Sequence, residues 1–539
     1  MTILLLAMGI VMIACILCSK LSNRIGLPSL LIFIGLGMLF GSDGLLKIPF
    51  ANYDFAQEIC SIALIFIMFY GGFGMRWTTA RPIAVRATLL SSLGVILTAG
   101  LTGVFCHFAL GFDWLEGLLL GAILGSTDAA SVFSILKSKK LNLKYGTAPL
   151  LEMESGSNDP CAYMLTVILL SIMEGSSSTG SLIWMAIAQV LFGLLGGLVM
   201  ARIASWIFQR FQFAENGFDT IFVFAISILG YAVPSFIGGN GYLSVYIMGI
   251  LLGNGIFQDQ KNLINFFDAF TGMMEMLLFF LLGLLSFPSR LPQVLLPSLA
   301  IALFMTLISR PLSVIALLAP FRARWNQIAL ISWAGLRGAA SIVFSILAVI
   351  SVAHMESDIF HITFCVVLLS ITFQGSLLPL IARRLDMIDE HENVLKTFTS
   401  YSDETAVQFF QTEIDTNHPW KNRQVQQLHL IPNTLLVVIR RNGQNIVPKG
   451  NTLLLEGDHL IMSAEGYADQ DNILLRETVL DEASPWCGQC LSEIEFRQNT
   501  LIVLIKREHV TIIPDGSTRL LKGDRLVLYS QKTSARRDA

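Results

Sequence analysis

From Ile3 to Arg384 the chain alternates long apolar runs with short polar breaks, whereas beyond Met387 charged and amide residues are dense and the apolar runs are short. Two solvents are implied, with a boundary near Arg384. A helix that crosses the hydrocarbon of a bilayer needs roughly 17 to 25 mostly apolar residues. On that ruler about thirteen candidate spans begin near Ile3, Pro28, Gln57, Ile83, Trp114, Leu151, Leu182, Thr220, Gly241, Leu263, Val294, Ile328 and Phe360. The run from Gly241 is short and carries Gly249 and Gly253.

The polar breaks orient these spans. Alternate loops hold Lys20 and Arg24, then Arg76, Arg81 and Arg86, then Lys137, Lys139, Lys140 and Lys144, then Arg210, Lys261, Arg322 and Arg324. The opposite loops hold Asp43, Asp54, Asp113, Glu116, Glu174, Glu356 and Asp358, with Lys47 and Arg290 as basic exceptions. Since basic loops stay in the cytosol, the pattern predicts an N-terminus outside and a C-terminal tail inside. An odd number of spans delivers that tail to the cytosol.

Composition agrees: 54% of the 539 residues are hydrophobic and 14% are charged. A net charge of −3 offers no concentrated basic surface for nucleic acid. Ile3 to Cys18 lacks a basic leader and a small-residue cleavage site, so it reads as a span and not as a removable signal. Of eight cysteines, six lie in apolar runs, where a thiol acts as a small hydrophobe.

Asp, Glu and Arg cost at least about 2.5 to 3.5 kcal/mol each inside a span, so they persist where they meet a partner, water or an ion. Three clusters break the apolar runs: Gly125-Ser126-Thr127-Asp128, Glu154-Ser155-Gly156-Ser157-Asn158-Asp159-Pro160, and Gly335-Leu336-Arg337-Gly338. Glu154 and Asn158, four apart, share a helix face. Pro160 removes a backbone donor, which predicts a local distortion of the sixth span around the acids. Carboxylates, hydroxyls and freed carbonyls at the midplane are a means of binding small cations. A carboxylate that holds a proton or a metal ion, but not both, makes exchange arise from competition at one site.

At these residues the chain resembles the electroneutral branch of the bacterial monovalent cation/proton antiporters, over roughly Leu4 to Arg384. The resemblance implies an α-helical polytopic membrane protein of about thirteen spans, with inverted repeats and two crossed, unwound helices, assembled as a homodimer in the bacterial inner membrane. It implies that Asp159 carries the ion or the proton in turn, and that Asp128, Thr127 (through its backbone oxygen), Ser155 and Asn158 complete the site. It further implies a buried structural pair of Glu154 with Arg337, with Asn158 bonded to it. Many relatives carry an acid where this chain has Tyr70, just before Gly71-Gly72. Arg310 has no partner that the sequence names.

The tail repeats itself at an offset of 66 residues, which aligns Pro419-Trp420 with Pro485-Trp486, Asn433 with Asn499, Arg441 with Arg507 and Gly457-Asp458 with Gly523-Asp524. Each copy resembles the C-terminal lobe of the domains that regulate potassium conductance, a small α+β sandwich. The expected organisation is a membrane domain over 1–385, a linker over 386–415, and modules over 416–470 and 471–533. That resemblance implies a regulatory tail, with a nucleotide or cyclic dinucleotide as possible effector. The Cys487-Gly488-Gln489-Cys490 sequence falls opposite Lys421 to Gln424 of the first copy, which has no cysteine, so a redox role is disfavoured.

No tightly bound cofactor is implied beyond the transported K+ or Na+ and H+. A cation channel is disfavoured by the missing Thr-Val-Gly-Tyr-Gly filter, and an enzyme by histidines without paired metal spacing. Potassium is favoured over sodium because the tail is of the potassium-regulating type.

Overall fold

A computed structural model describes residues 9–18, 29–139, 141–175, 178–210, 217–255, 260–351 and 355–389. In the tail it describes 407–416, 418–428, 430, 434–441, 444–465, 475–480, 484, 486–494, 500–507, 510–512, 514, 516 and 518–530. Lys20, Arg24, Lys140, Asn433, Pro485 and Asn499 lie outside these residues. The chain divides into two compact units, Met1–Ser402 and Asp403–Ala539.

In the first unit each of the thirteen segments corresponds to one helix or to one interrupted helix. Among the described residues seven are long and apolar enough to cross a membrane, including Tyr53–Phe73, Thr179–Phe208 and Ile359–Arg384. The fifth span is broken into Trp114–Ile123 and Ala129–Ser138, and the twelfth into Trp325–Trp333 and Ala339–Ile350. Both breaks fall on the glycine- and charge-bearing clusters, where small residues and a charge weaken the helical ladder.

The sixth span differs from the expectation. Thr147–Met173 is one continuous helix with Pro160 inside it. Its neighbours pack closely around the proline: Asn240 Nδ2 donates to the Pro160 carbonyl at 2.8 Å, and a Cβ on Gly156 would enter the Tyr246 ring.

The glycines of the short ninth span, Gly241–Gly253, mark a close crossing with Tyr53–Phe73. A Cβ on Gly249 would run into the Phe69 carbonyl, and one on Gly72 into that of Tyr246. Small residues allow backbones to approach this closely within a bilayer.

The second unit contains two four-stranded antiparallel sheets. In the first, Val407–Glu413 (β1), Leu435–Arg441 (β2), Gln444–Ile446 (β3) and His459–Glu465 (β4) are ordered β1-β4-β2-β3. In the second, Leu475–Val479 (β5), Thr500–Arg507 (β6), Val510–Ile512 (β7) and Arg525–Ser530 (β8) are ordered β5-β8-β6-β7. The duplication is kept in detail, since the register shifts between Leu436 and Val438 in β2 and between Ile502 and Leu504 in β6. One boundary moves: β1 falls within the stretch assigned to the linker, because it closes the first sheet along the whole of β4.

Candidate functional site

The two broken spans meet at their unwound segments. The Asp128 backbone N–H donates to the Leu336 carbonyl at 2.8 Å, and a Cβ on Gly338 would collide with the Asp128 side chain. Glycine at 338 is therefore what admits Asp128 to the crossing. The Asp128 carboxylate accepts from the Ser131 backbone N–H at 3.2 Å and from the Ser131 hydroxyl, a cap on Ala129–Ser138 at the end where the helix dipole favours negative charge.

Arg337 serves the opposite pole. Its Nη1 donates to the carbonyls of Gly125 at 3.3 Å and Ser126 at 3.1 Å, just beyond the end of Trp114–Ile123. Its backbone N–H donates to Ser370 Oγ at 3.0 Å, inside the π-helical turn Ser370–Gly375. A positive charge thus meets the carbonyl end of one half-helix while a negative charge caps the amide end of the next.

The sixth span lies alongside. Asp159 accepts a hydrogen bond from the Ser126 hydroxyl. Ser155 Oγ donates to the Thr127 carbonyl at 2.7 Å, and Asn158 Nδ2 donates to Thr127 Oγ1 at 2.5 Å. Pro160 has no N–H, so the Gly156 carbonyl four residues earlier is left without its helical donor.

Asp159, Asp128, Thr127, Ser155, Gly156 and Ser126 all line one cavity of about 440 Å3. Asn158, Glu154 and Arg337 are not in its wall. Asn158 and Glu154 are four apart and share a face, as expected, but it is the neighbouring face carrying Ser155 and Asp159 that opens on the cavity.

The expected structural ion pair is corrected. Glu154 is paired with Arg310 of the eleventh span, both side chains almost fully buried, while Arg337 is held by the carbonyls of the fifth span. Arg310 reaches Glu154 past the unwound twelfth span. Gly335 leaves it room, since a Cβ there would lie 2.9 Å from Arg310 Nε. Asn158 likewise bonds Thr127 and not Glu154.

Three further acids in the cavity wall, Glu152, Asp268 and Glu275, were not singled out from the sequence. Tyr70 Oη donates to Asp268 Oδ1 at 3.0 Å, so the tenth span supplies a carboxylate beside the tyrosine of the third. A signal was present: Asp268, Thr271 and Glu275 are spaced i, i+3, i+7 along one face of an otherwise apolar span, and all three line the cavity.

Oxygen-bearing side chains on crossed half-helices and a buried carboxylate in the wall of a partly open cavity fit a secondary transporter for a small cation. The sodium/hydrogen exchanger transmembrane family matches residues 10–384, and the TrkA-C domain matches residues 409–466 and 475–537. The chain belongs to the sodium/hydrogen exchanger family, a family of multi-pass membrane cation/proton antiporters, and carries a TrkA-C regulatory tail. It is 37% identical over 383 residues to the K(+)/H(+) antiporter NhaP of Alkalimonas amylolytica, covering 71% of this chain and 67% of the relative. It is 34% identical to the K(+)/H(+) antiporter NhaP2 of Shewanella sp. strain ANA-3, covering 83% and 78%. The sodium proton antiporter MjNhaP1 of Methanocaldococcus jannaschii superposes with a TM-score of 0.61 at 26% identity, covering 71% of this chain and 99% of that one.

Proposed function

We propose that the protein exchanges cytosolic potassium for external protons, one for one, with Asp159 as the group that holds either the cation or the proton. The observation that carries this reading is the position of Asp159: 5% exposed, bonded by the Ser126 hydroxyl, and in the wall of the cavity that Asp128, Thr127 and Ser155 also line. A buried carboxylate stays charged beside a cation and takes up a proton without one, so the empty charged carrier is the disfavoured state. Asn158, neutral beside Asp159, means that the sixth span offers one carboxylate and not an adjacent pair at that position, which supports electroneutral exchange.

Potassium is favoured over sodium because the potassium-named relatives match at 34 to 37% identity, against 27% for a sodium-named one. The working form is a homodimer in the bacterial inner membrane, with the N-terminus outside and the tail in the cytosol. There the tail senses a nucleotide-type effector and biases exchange.

The test is reconstitution in liposomes with a pH-reporting dye. Addition of KCl should alkalinise or acidify the lumen according to the gradient, more strongly than NaCl and without regard to membrane potential, and Asp159→Asn should abolish the response. A flux that follows voltage, or exchange that persists in Asp159→Asn, would overturn the reading.

A further inference from the structure

Where the membrane unit ends, the chain is tied back to the loop that joins the two site-bearing spans. Leu143, between the fifth and sixth spans, forms an antiparallel bridge with Ile388, just after the thirteenth. The Lys144 N–H donates to the Met387 carbonyl and the Asp389 N–H to the Asn142 carbonyl, each at 2.9 Å. Lys144 Nζ also meets Asp386 Oδ1 at 2.9 Å. The bridge is not surface decoration, because Met387 and Leu143 are buried in one apolar cluster with Leu136, Leu150, Leu151 and Ile328.

The same loop grips the twelfth span. Arg324 Nη1 donates to Tyr145 Oη at 2.6 Å, with its guanidinium 4.3 Å above the ring. Gln327 Nε2 donates to the Tyr145 carbonyl and to Thr147 Oγ1, both at 3.3 Å. Asn326 Nδ2 donates to the Leu385 carbonyl at 2.9 Å. Residues 385–389 are thus joined to the fifth, sixth and twelfth spans, the three that meet at Asp128, Asp159 and Arg337. Tyr145 and Asp386, at the ends of the bridge, both hold left-handed backbone (φ 62° and 51°), which non-glycine residues adopt only when their surroundings impose it.

We propose that this clasp is the element through which the tail acts on the ion site. The proposal rests on the tail being regulatory. A displacement of residues 387–389 by the chain beyond them breaks these two backbone hydrogen bonds and releases Asn142–Lys144. From that loop Thr147–Met173 runs unbroken to Ser155 and Asp159, and a continuous helix transmits a shift at its start along its length. Held or released, the clasp would then supply the two arrangements that coupling between distant regions requires, linked to the site by one unbroken helix.

The experiment uses the full chain in liposomes with the tail outward and a protease site inserted between Glu390 and Ser402, and exchange is measured before and after cleavage. In the otherwise wild-type protein, cleavage should change the rate at least about twofold. Asp389→Pro removes one of the two bridging donors and should retain exchange while losing the response to cleavage.

The second variant is Leu143→Cys with Ile388→Cys. Their hydrogen bonds flank the pair and do not join it directly, so the two face each other at about 4.5 Å between Cα atoms, within disulfide reach. Reduced, it should respond to cleavage as the wild type does. Oxidised, it should lose the response, and reductant should restore it. If the wild type responds and both variants respond equally, the clasp is not the transmitter. If the wild type itself ignores cleavage, the regulatory reading of the tail fails and the clasp proposal with it.

Discussion

The membrane unit and the tail each bury an acid against an arginine, and they treat the pair differently. In the tail, Arg441 grips Asp458 with two hydrogen bonds at 2.7 Å, and its Nη2 also donates to the Leu453 carbonyl at 2.8 Å. The Leu455 N–H donates to the same carboxylate at 2.8 Å. The second module repeats the arrangement with Arg507, Asp524, the Arg519 carbonyl and the Leu521 N–H. In the membrane unit the Glu154–Arg310 pair leaves Glu154 Oε2 and Arg310 Nε without a hydrogen-bond partner among the described residues. A fully satisfied fork fixes a turn. An incompletely satisfied pair, beside the half-helices that line the cavity, is retained at a cost that the tail avoids.

The largest expected effect falls on the proposed carrier, Asp159. Asp159→Asn should reduce cation-driven proton exchange in liposomes to background while leaving detergent melting near that of the wild type, because its hydroxyl partner Ser126 can also bond an amide.

Next comes the ion pair. Glu154→Gln strands a buried arginine and should destabilise the membrane unit by about 3 to 5 kcal/mol, read as a lowered melting temperature in detergent. The double variant Glu154→Gln/Arg310→Gln should recover part of that loss. The same cycle with Arg337 should show weaker coupling, since Arg337 bonds carbonyls of the fifth span. Equal coupling to Arg337 would reverse the assignment.

The forks in the tail should give smaller effects that match between modules. Burial pushes the Asp458 carboxyl up, but the Arg441 hydrogen bonds, the Leu455 N–H and the Arg441 charge outweigh it and hold the group below its ordinary value. Asp524 is held down by Arg507 and Leu521 in the same way. A carboxyl depressed in the folded state contributes stability above its unfolded pKa of about 3.9. That contribution is lost as pH falls through the lower folded value. Asp458→Asn and Asp524→Asn should each cost about 1 to 3 kcal/mol at neutral pH. Each variant should also show less acid destabilisation than the wild type, followed by circular dichroism of the strands.

The smallest effect is expected at the dithiol. Cys487→Ser with Cys490→Ser should shift tail stability by no more than about 0.5 kcal/mol and leave exchange indifferent to oxidant. The first module builds the same turn without cysteine: Gln424 caps Val425–Gln427 as Cys490 caps Leu491–Glu493.

Much of this arrangement is carried by local signals. Apolar runs at bilayer length locate the spans, and the repeat at Arg441 and Arg507 marks the two sheets, while the three polar clusters mark candidate chemistry without saying which spans unwind. Each depends on residues close together in the chain, where helical periodicity, strand alternation and turn chemistry act directly.

The pairing of Glu154 was not legible in the same way. Arg310 and Arg337 are both lone cations in apolar spans, and which one reaches the sixth span depends on the crossing of three helices and on Gly335 leaving a passage. The sixth span runs on as one helix past Pro160, and the residues packed on it there, Asn240 and Tyr246, are distant in sequence. Asp268 joins the cavity only because the third and tenth spans pack side by side. The chain by itself determined the spans, the duplication and the charged residues that need partners. The tertiary structure decided the partners, because hydrogen bonds and ion pairs act over a few ångströms, and only the packing of the helices sets which groups come that close.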